Sequence, residues 1–342
     1  MKKYLLPKEG TFFKANLHTH TNRSDGAQSP EKVKEVYKDL GYSVVAYTDH
    51  DIFIDSQHLT DDTFVALNGV EYSSPLGDPD KPPKQRRFCH FCAIQKDKTK
   101  LIDPLYHRTK YFNSFTSEED KKKIVFDENV PDFEREYSAD CINEMMKKCK
   151  EAGFFVTYNH PGGSLERYPD YMQYKYMDAM EIYNGCSIMS GHTDYNPREY
   201  EDFLMNGRRL FCVGGDDSHL KYMDSPVHTD AGRAFTMIKA KELTYEAIID
   251  SLTKGHFYAS EGPEIYELYY EDGKVHIKTS DCDRITLSMC GRKNRSVKDE
   301  GKGLNEATFD VLEDDIYIRF TVCDKYRKTA STIAYFIEDF MK

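Results

Sequence analysis

From Thr11 to Gly255 the chain alternates short apolar runs with amphipathic stretches that carry their own start and stop signals. A strand followed by a helix before the next strand pairs parallel to its neighbour, because the crossover returns the chain to the same end of the sheet. The apolar runs are TFFKANLH (11–18), SVVAYTDH (43–50), FVALNGVE (64–71), RFCHFCAI (87–94), GFFVTYNH (153–160), AMEIYN (179–184) and LFCVGGDD (210–217), with RAFTMIKA (233–240) as a candidate eighth. Between them, Ser29 is a helix cap, Pro30 takes the first helical position, Val33, Val36, Tyr37 and Leu40 form one apolar stripe, and Gly41 follows. Ser138 opens a second helix with Ile142, Met145, Met146 and Cys149 before Gly153. Thr244 opens a third with Tyr245, Ile248, Ile249 and Leu252 before Gly255. A weaker helix runs from Pro197 to Gly207. Seven or eight such units predict an α/β fold whose parallel strands close into a barrel.

Two segments break the rhythm. Residues 97–136 are charged, carry EEDKKK and show no clean period, which fits a solvated insertion better than a lid. Beyond Gly262, short strands with turn signals such as EDGK replace the alternation. The expected division is therefore a barrel over 1–262 and a small antiparallel β domain over 263–342.

The formal net charge of −11 argues against a nucleic-acid polymer or an anionic membrane as the main partner. No run reaches the roughly 18 apolar residues of a membrane span, and the apolar part of MKKYLLPKEG is too short for a signal peptide, so the chain reads as cytoplasmic. Nine cysteines without regular pairing fit a reducing compartment. Cys89 and Cys92 form one C-x-x-C, but a structural zinc site needs a second pair, so both read as core thiols.

The ends of the predicted strands carry the chemistry. Residues two apart on a strand share a face, so His18 and His20 point together. The next strand ends in His50 between Asp49 and Asp51, the third in Glu71. The fourth contains His90, the fifth ends at His160, the sixth at Asn184, and the seventh runs into Asp216, Asp217 and His219. Asp25 follows the first strand. Each unpaired polar group buried in a core costs about 1–3 kcal/mol, so a ring of them needs a reason, and metal ions supply one. Six imidazoles with Asp25, Glu71 and Asp217 make nine donors, against about four for one tetrahedral zinc. Nine suit two or three metals with a bridging carboxylate.

In their order, HTH, SDG, TDHD, GVE, NHP and GDDSH resemble the PHP family, named for polymerase and histidinol phosphatase. The resemblance implies a distorted barrel of seven β/α units. It implies two or three divalent ions (zinc, manganese or iron) and phosphoester hydrolysis by a metal-bridging hydroxide. It would place His18, His20, Glu71 and Asp217 on one ion, Glu71, His90 and His160 on a second, and Asp25, His50 and His219 on a third. The family spacing G-x-D-x-H selects Asp217 over Asp216. Three such ions with three carboxylates leave the pocket near about +3, enough to hold a small anionic phosphorylated substrate. The tail resembles a branch that also includes enzymes cutting carbamate or carboxylic esters.

A leaving group needs a proton donor, and His192 and His228 are the free candidates on the later loops. Arg23, beside Asp25, has the bidentate geometry that suits a phosphate. Asp49 and Asp51 are candidates to hold His50 in place, and Asn184 to contact substrate or cap the barrel. An amidohydrolase barrel also begins with H-x-H but bridges its metals with a lysine on strand four, where RFCHFCAI has none. Carbamate or carboxylic ester hydrolysis would use the same ligands. A non-catalytic metal-binding module would be expected to have lost some of them.

Overall fold

The computed structural model describes residues 2–193, 195–225 and 227–341. The helix signals act where the sequence puts them. Ser29 accepts from the Lys32 N–H, Ser138 from Cys141 and Thr244 from Ala247, opening helices Pro30–Asp39, Ala139–Glu151 and Tyr245–Lys254. Gly255 ends the last of these in the left-handed region at φ 71°. Val33, Met145 and Ile248 are buried, while Leu40 stands exposed just past its helix.

Among the described residues, ten strands precede Gly262: β1 Lys3–Tyr4, β2 Thr11–Asn16, β3 Val44–Tyr47, β4 Val65–Ser73, β5 His90–Gln95, β6 Phe154–Tyr158, β7 Ala179–Asn184, β8 Phe211–Gly215, β9 Phe235–Ala240 and β10 Phe257–Ser260. Eight follow: β11 Ile265–Glu271, β12 Lys274–Cys282, β13 Arg284–Met289, β14 Arg295–Lys298, β15 Leu304–Asp310, β16 Tyr317–Cys323, β17 Thr329–Thr332 and β18 Tyr335–Phe336. The large sheet runs β14-β13-β16-β17-β10-β9-β2-β3-β4-β5-β6-β7-β8, and a smaller one runs β1-β11-β12-β15.

The expected closed barrel is not formed. Strand β2 pairs parallel with β3 on one edge and antiparallel with β9 on the other, so no edge is left for β8. Strands β8 and β2 meet past their ends through a single bridge, Thr19 to Ser218. Uniform parallel pairing fails at β5, which runs antiparallel to both β4 and β6. Its connection from β4 holds one 3-10 turn, Pro83–Gln85, and no crossover helix. This reversal has a useful result. The start of β5, where His90 sits opposite Ser73, lies on the same rim as the ends of β4 and β6.

Among the described residues, strand pairing crosses the Gly262 boundary at two places. Strand β10 pairs with β17, and β1 pairs with β11. Ile248, Leu252 and Phe257 share one buried cluster with Ile277, Ile285 and Phe320, so the tail completes the core below the rim. The 97–136 segment is anchored as well. Arg135 pairs with Asp51 and donates to the Ser73 and Leu105 carbonyls, and Tyr72 donates to Asp103 at 2.6 Å. No helix among the described residues is long and apolar enough to cross a membrane.

Candidate metal centre

The rim gathers donors from six chain segments, with Glu71 at their centre. His18 and His20 follow β2, His50 follows β3, Glu71 lies within β4, His90 opens β5, His160 follows β6, and Asp217 and His219 follow β8. Glu71 Oε1 lies 3.1 Å from His18 Nε2 and 3.3 Å from both His90 Nδ1 and His160 Nε2. Its Oε2 lies 3.1 Å from His50 Nδ1 and 3.4 Å from His20 Nε2. Asp217 Oδ1 is 3.0 Å from His20 Nε2 and 3.3 Å from His18 Nε2. Asp25 faces His219 Nε2 at 3.4 Å and His50 Nε2 at 3.8 Å. All nine expected donors therefore stand on one rim.

Ligand atoms within 4.8 Å of one another fall into three groups: His18, His20, Glu71 and Asp217; His20, Asp25, His50 and His219; and His50, Glu71 and His90. The first repeats an expected set and the second contains one. The third draws in His50, whereas His160 reaches the cluster through Glu71 and, at 3.7 Å, Asp217 Oδ2. A cation fits this chemistry. Buried His20 Nδ1, His50 Nδ1 and Glu71 Oε2 have no hydrogen-bond partner, and His18 Nε2 faces His20 Nε2 at 3.2 Å.

Burial opposes charge on Glu71, Asp217, His18, His160, His219 and His50, and their neighbours decide the outcome. The imidazoles, His18 foremost, hold the Glu71 and Asp217 carboxyls well below the ordinary range. Asp217 leads the groups that drive His18 well above its usual value despite burial. His160 rises to about 9, with Glu71 the main partner against burial, and His219 to about 11 through Asp25. Burial and the nearby His20 push His50 down to about 3. The donors thus compete for protons that a cation would displace.

Gly26 permits the close packing at the first loop. A Cβ on Gly26 would lie 2.6 Å from the His20 carbonyl carbon, so only glycine lets the SDG turn fold Asp25 back over His20. Asp49 pins that turn, accepting from Thr21 N at 2.7 Å and from Ser24 Oγ at 2.7 Å. Asp51, at φ 55°, turns away to Arg135. Asp216 is structural: it accepts from Gly232, Arg233 and Ala234 backbone N–H groups and from Tyr37. Asp217, at φ 51°, is thereby left facing the histidines.

Two residues at the centre have no counterpart in the sequence reading. Asn159 donates to Glu71 Oε1 at 2.7 Å, and Glu181 stands 2.7 Å from His18 Nδ1. Asn184 donates to Glu181 and accepts from the Ser187 N–H and hydroxyl.

Six of the donors, His50, Glu71, His90, His160, Asp217 and His219, line a cavity of about 200 Å³ walled also by Phe88, Gly163, Ser187, Ser190 and His192, with no lysine or arginine among its lining residues. Larger cavities lie elsewhere and hold none of these donors. Exposed His192 is at the rim. His228 is outside the lining and pairs with Ser225 Oγ at 2.9 Å. Arg23 is buried with its guanidinium on Ser56 Oγ at 3.0 Å, also outside the lining. No residue of 97–136 lines the cavity. Cys89 and Cys92 are buried free thiols.

No family model and no curated protein matches the sequence. Among solved structures, the chain is similar to a two-domain protein from Bacteroides vulgatus containing a predicted PHP-like metal-dependent phosphoesterase. That likeness has 17% identity and a TM-score of 0.46, over 97% of this chain and 98% of that one. It is also similar to an amidohydrolase from Chromobacterium violaceum, at 16% identity and a TM-score of 0.40, over 61% of this chain and 89% of that one. At this distance the chemistry has to be read from the residues themselves.

Proposed function

We propose that this chain is a metal-dependent hydrolase of PHP type that cleaves small phosphoesters. The supporting observation is Glu71, a fully buried carboxylate facing five imidazoles, with one oxygen lacking any hydrogen-bond partner. His18, His20, Glu71 and Asp217 would hold one divalent ion and Asp25, His50 and His219 another. His90 and His160, sharing Glu71, would complete a third position. Bound zinc, manganese or iron would supply a Lewis acid and ionise water near neutral pH.

The chain itself orients these donors and shapes the cavity. Asn159 and Glu181 fix donor orientation. Ser187 and Ser190 offer neutral hydrogen bonds along the wall. His192, which lines the cavity, would pass a proton to the departing oxygen. The substrate is a small phosphorylated molecule.

The absence of lysine and arginine from the lining also favours a second substrate, a less charged carbamate or carboxylic ester. Metal analysis of the purified chain, followed by parallel assays with nitrophenyl phosphate and nitrophenyl acetate, separates the two. Release from the phosphate ester alone supports the first reading, and release from the acetate alone replaces it with the second. A fully loaded chain that hydrolyses neither is not a hydrolase of this kind.

A further inference from the structure

Glu181 has no place in any ligand set, yet three donors converge on it. Its Oε1 lies 2.7 Å from His18 Nδ1. Its Oε2 accepts the His160 backbone N–H at 3.1 Å and Asn184 Nδ2 at 2.8 Å. His18 follows β2 and His160 follows β6, so one carboxylate from β7 spans two donor-bearing segments. Resting on the metal-centre reading above, we propose that Glu181 is a positioning residue that holds His18 in its Nδ1–H tautomer and ties that ring to the His160 backbone.

A neutral imidazole carries one N–H. With that proton on Nδ1, directed at Glu181, the Nε2 lone pair is left facing Glu71 Oε1 at 3.1 Å and Asp217 Oδ1 at 3.3 Å. A cation needs that lone pair. The opposite tautomer would put a proton where the ion must sit.

The contact is built into the backbone. A Cβ on Gly215 would stand 3.0 Å from both Glu181 Oε1 and His18 Cβ, so only the bare glycine lets the pair close. Glu181 is 1% exposed, and its ion-pair partner among the described residues is His18. A carboxylate so buried is costly unless it is hydrogen-bonded and faces positive charge. The three donors supply the first, and ions held by His18 and its neighbours would supply the second.

Glutamine is the discriminating substitution, because its amide has one acceptor for three donors. Turned one way, it leaves the His160 N–H and Asn184 facing an NH₂. Turned the other way, it donates to His18 Nδ1 and drives the proton onto Nε2. Zinc affinity is measured without substrate, by competition with a chromogenic chelator, in the wild-type chain and in Glu181→Gln. The expected result is binding weakened about 10–100-fold in the variant, with its metal-free urea midpoint recorded alongside. Affinity within about twofold of wild type would overturn the proposal.

A second measurement holds even if the variant does not fold. In zinc-loaded wild-type protein with ¹⁵N-labelled histidine, His18 should carry its proton on Nδ1. A bare Nδ1 would overturn the assignment. A wild-type chain that binds no zinc would instead sink the metal-centre reading, so the two failures are told apart.

Discussion

Arg135→Met should be among the most destabilising single changes in this chain, although Arg135 touches no metal donor. Its guanidinium pairs with Asp51, donates to the Ser73 carbonyl at 3.0 Å and the Leu105 carbonyl at 3.2 Å, and lies 4.4 Å over the Tyr111 ring. The two charged side chains are only 2% and 8% exposed. Methionine roughly fills the volume but supplies no donor. Asp51 would keep only the long bond from Ser73 N at 3.3 Å.

Stranding one charge of a buried pair costs about 3–5 kcal/mol, a large share of the roughly 5–15 kcal/mol that holds a folded domain together. The cost should depend on pH. Burial already raises the Asp51 carboxyl above its ordinary value with Arg135 opposing it, and removal of the arginine raises it further. A folded chain that binds this proton more tightly than the unfolded chain loses stability as pH rises. The deficit is therefore smallest near about pH 4, the unfolded carboxyl value, and largest at neutrality. Urea denaturation at pH 5 and pH 7 measures it. The double variant Asp51→Asn/Arg135→Met should be more stable than Arg135→Met alone. A loss below about 1 kcal/mol at pH 7, or an equal loss at both pH values, would refute the reasoning.

Glu71→Gln should remove most bound metal after dialysis and abolish hydrolysis, and full metal content in the variant would contradict its central role. His192→Ala should lower turnover by about 10²-fold or more, whereas His228→Ala should leave it within about twofold, read as kcat on nitrophenyl phosphate. Burial raises Glu166 to about 7 although Tyr158, Tyr174 and Tyr137 all donate to it. Its folded value exceeds the unfolded 4.5, so this contribution to stability falls as pH rises between the two. Glu166→Gln should flatten that part of the urea-midpoint profile, and an unchanged profile would refute it. Truncation after Gly262 should give insoluble chain, because Ile248 and Leu252 lose Ile277, Ile285 and Phe320 from their core. A soluble, cooperatively melting product would show that the tail is dispensable.

Local signals were legible and partner-dependent ones were not. Ser29, Ser138 and Thr244 cap helices because a cap is decided within four residues. His18 and His20 face one way because the strand period is two. Most of the nine donors are legible because they lie beside predicted strand ends, Asp25 in the loop after the first. His90 is expected inside its strand, whereas it opens one that runs antiparallel to its neighbour. The sign of that reversal was present as the missing helical period between Ser73 and Phe88. The open sheet was not readable, since it depends on β9 taking the edge of β2. Glu181 left one faint trace, an acid inside the apolar run AMEIYN, and a buried acid requires partners. Which partners it finds, His18 and His160, depends on strands far apart in the chain. Asn159 beside His160 was hidden in the same way.

The pairing of β1 with β11 and of β10 with β17 also bears on how the molecule is made. During synthesis Lys3–Tyr4 is made long before its partners Tyr269 and Tyr270. The edge of β10 likewise waits for Ala330 to Thr332. Until then the nascent molecule carries open strand edges and part of a bare apolar floor, the state in which β-rich chains stick to one another. Interrupted translation between Gly262 and Thr332 should therefore yield aggregate instead of a smaller folded product.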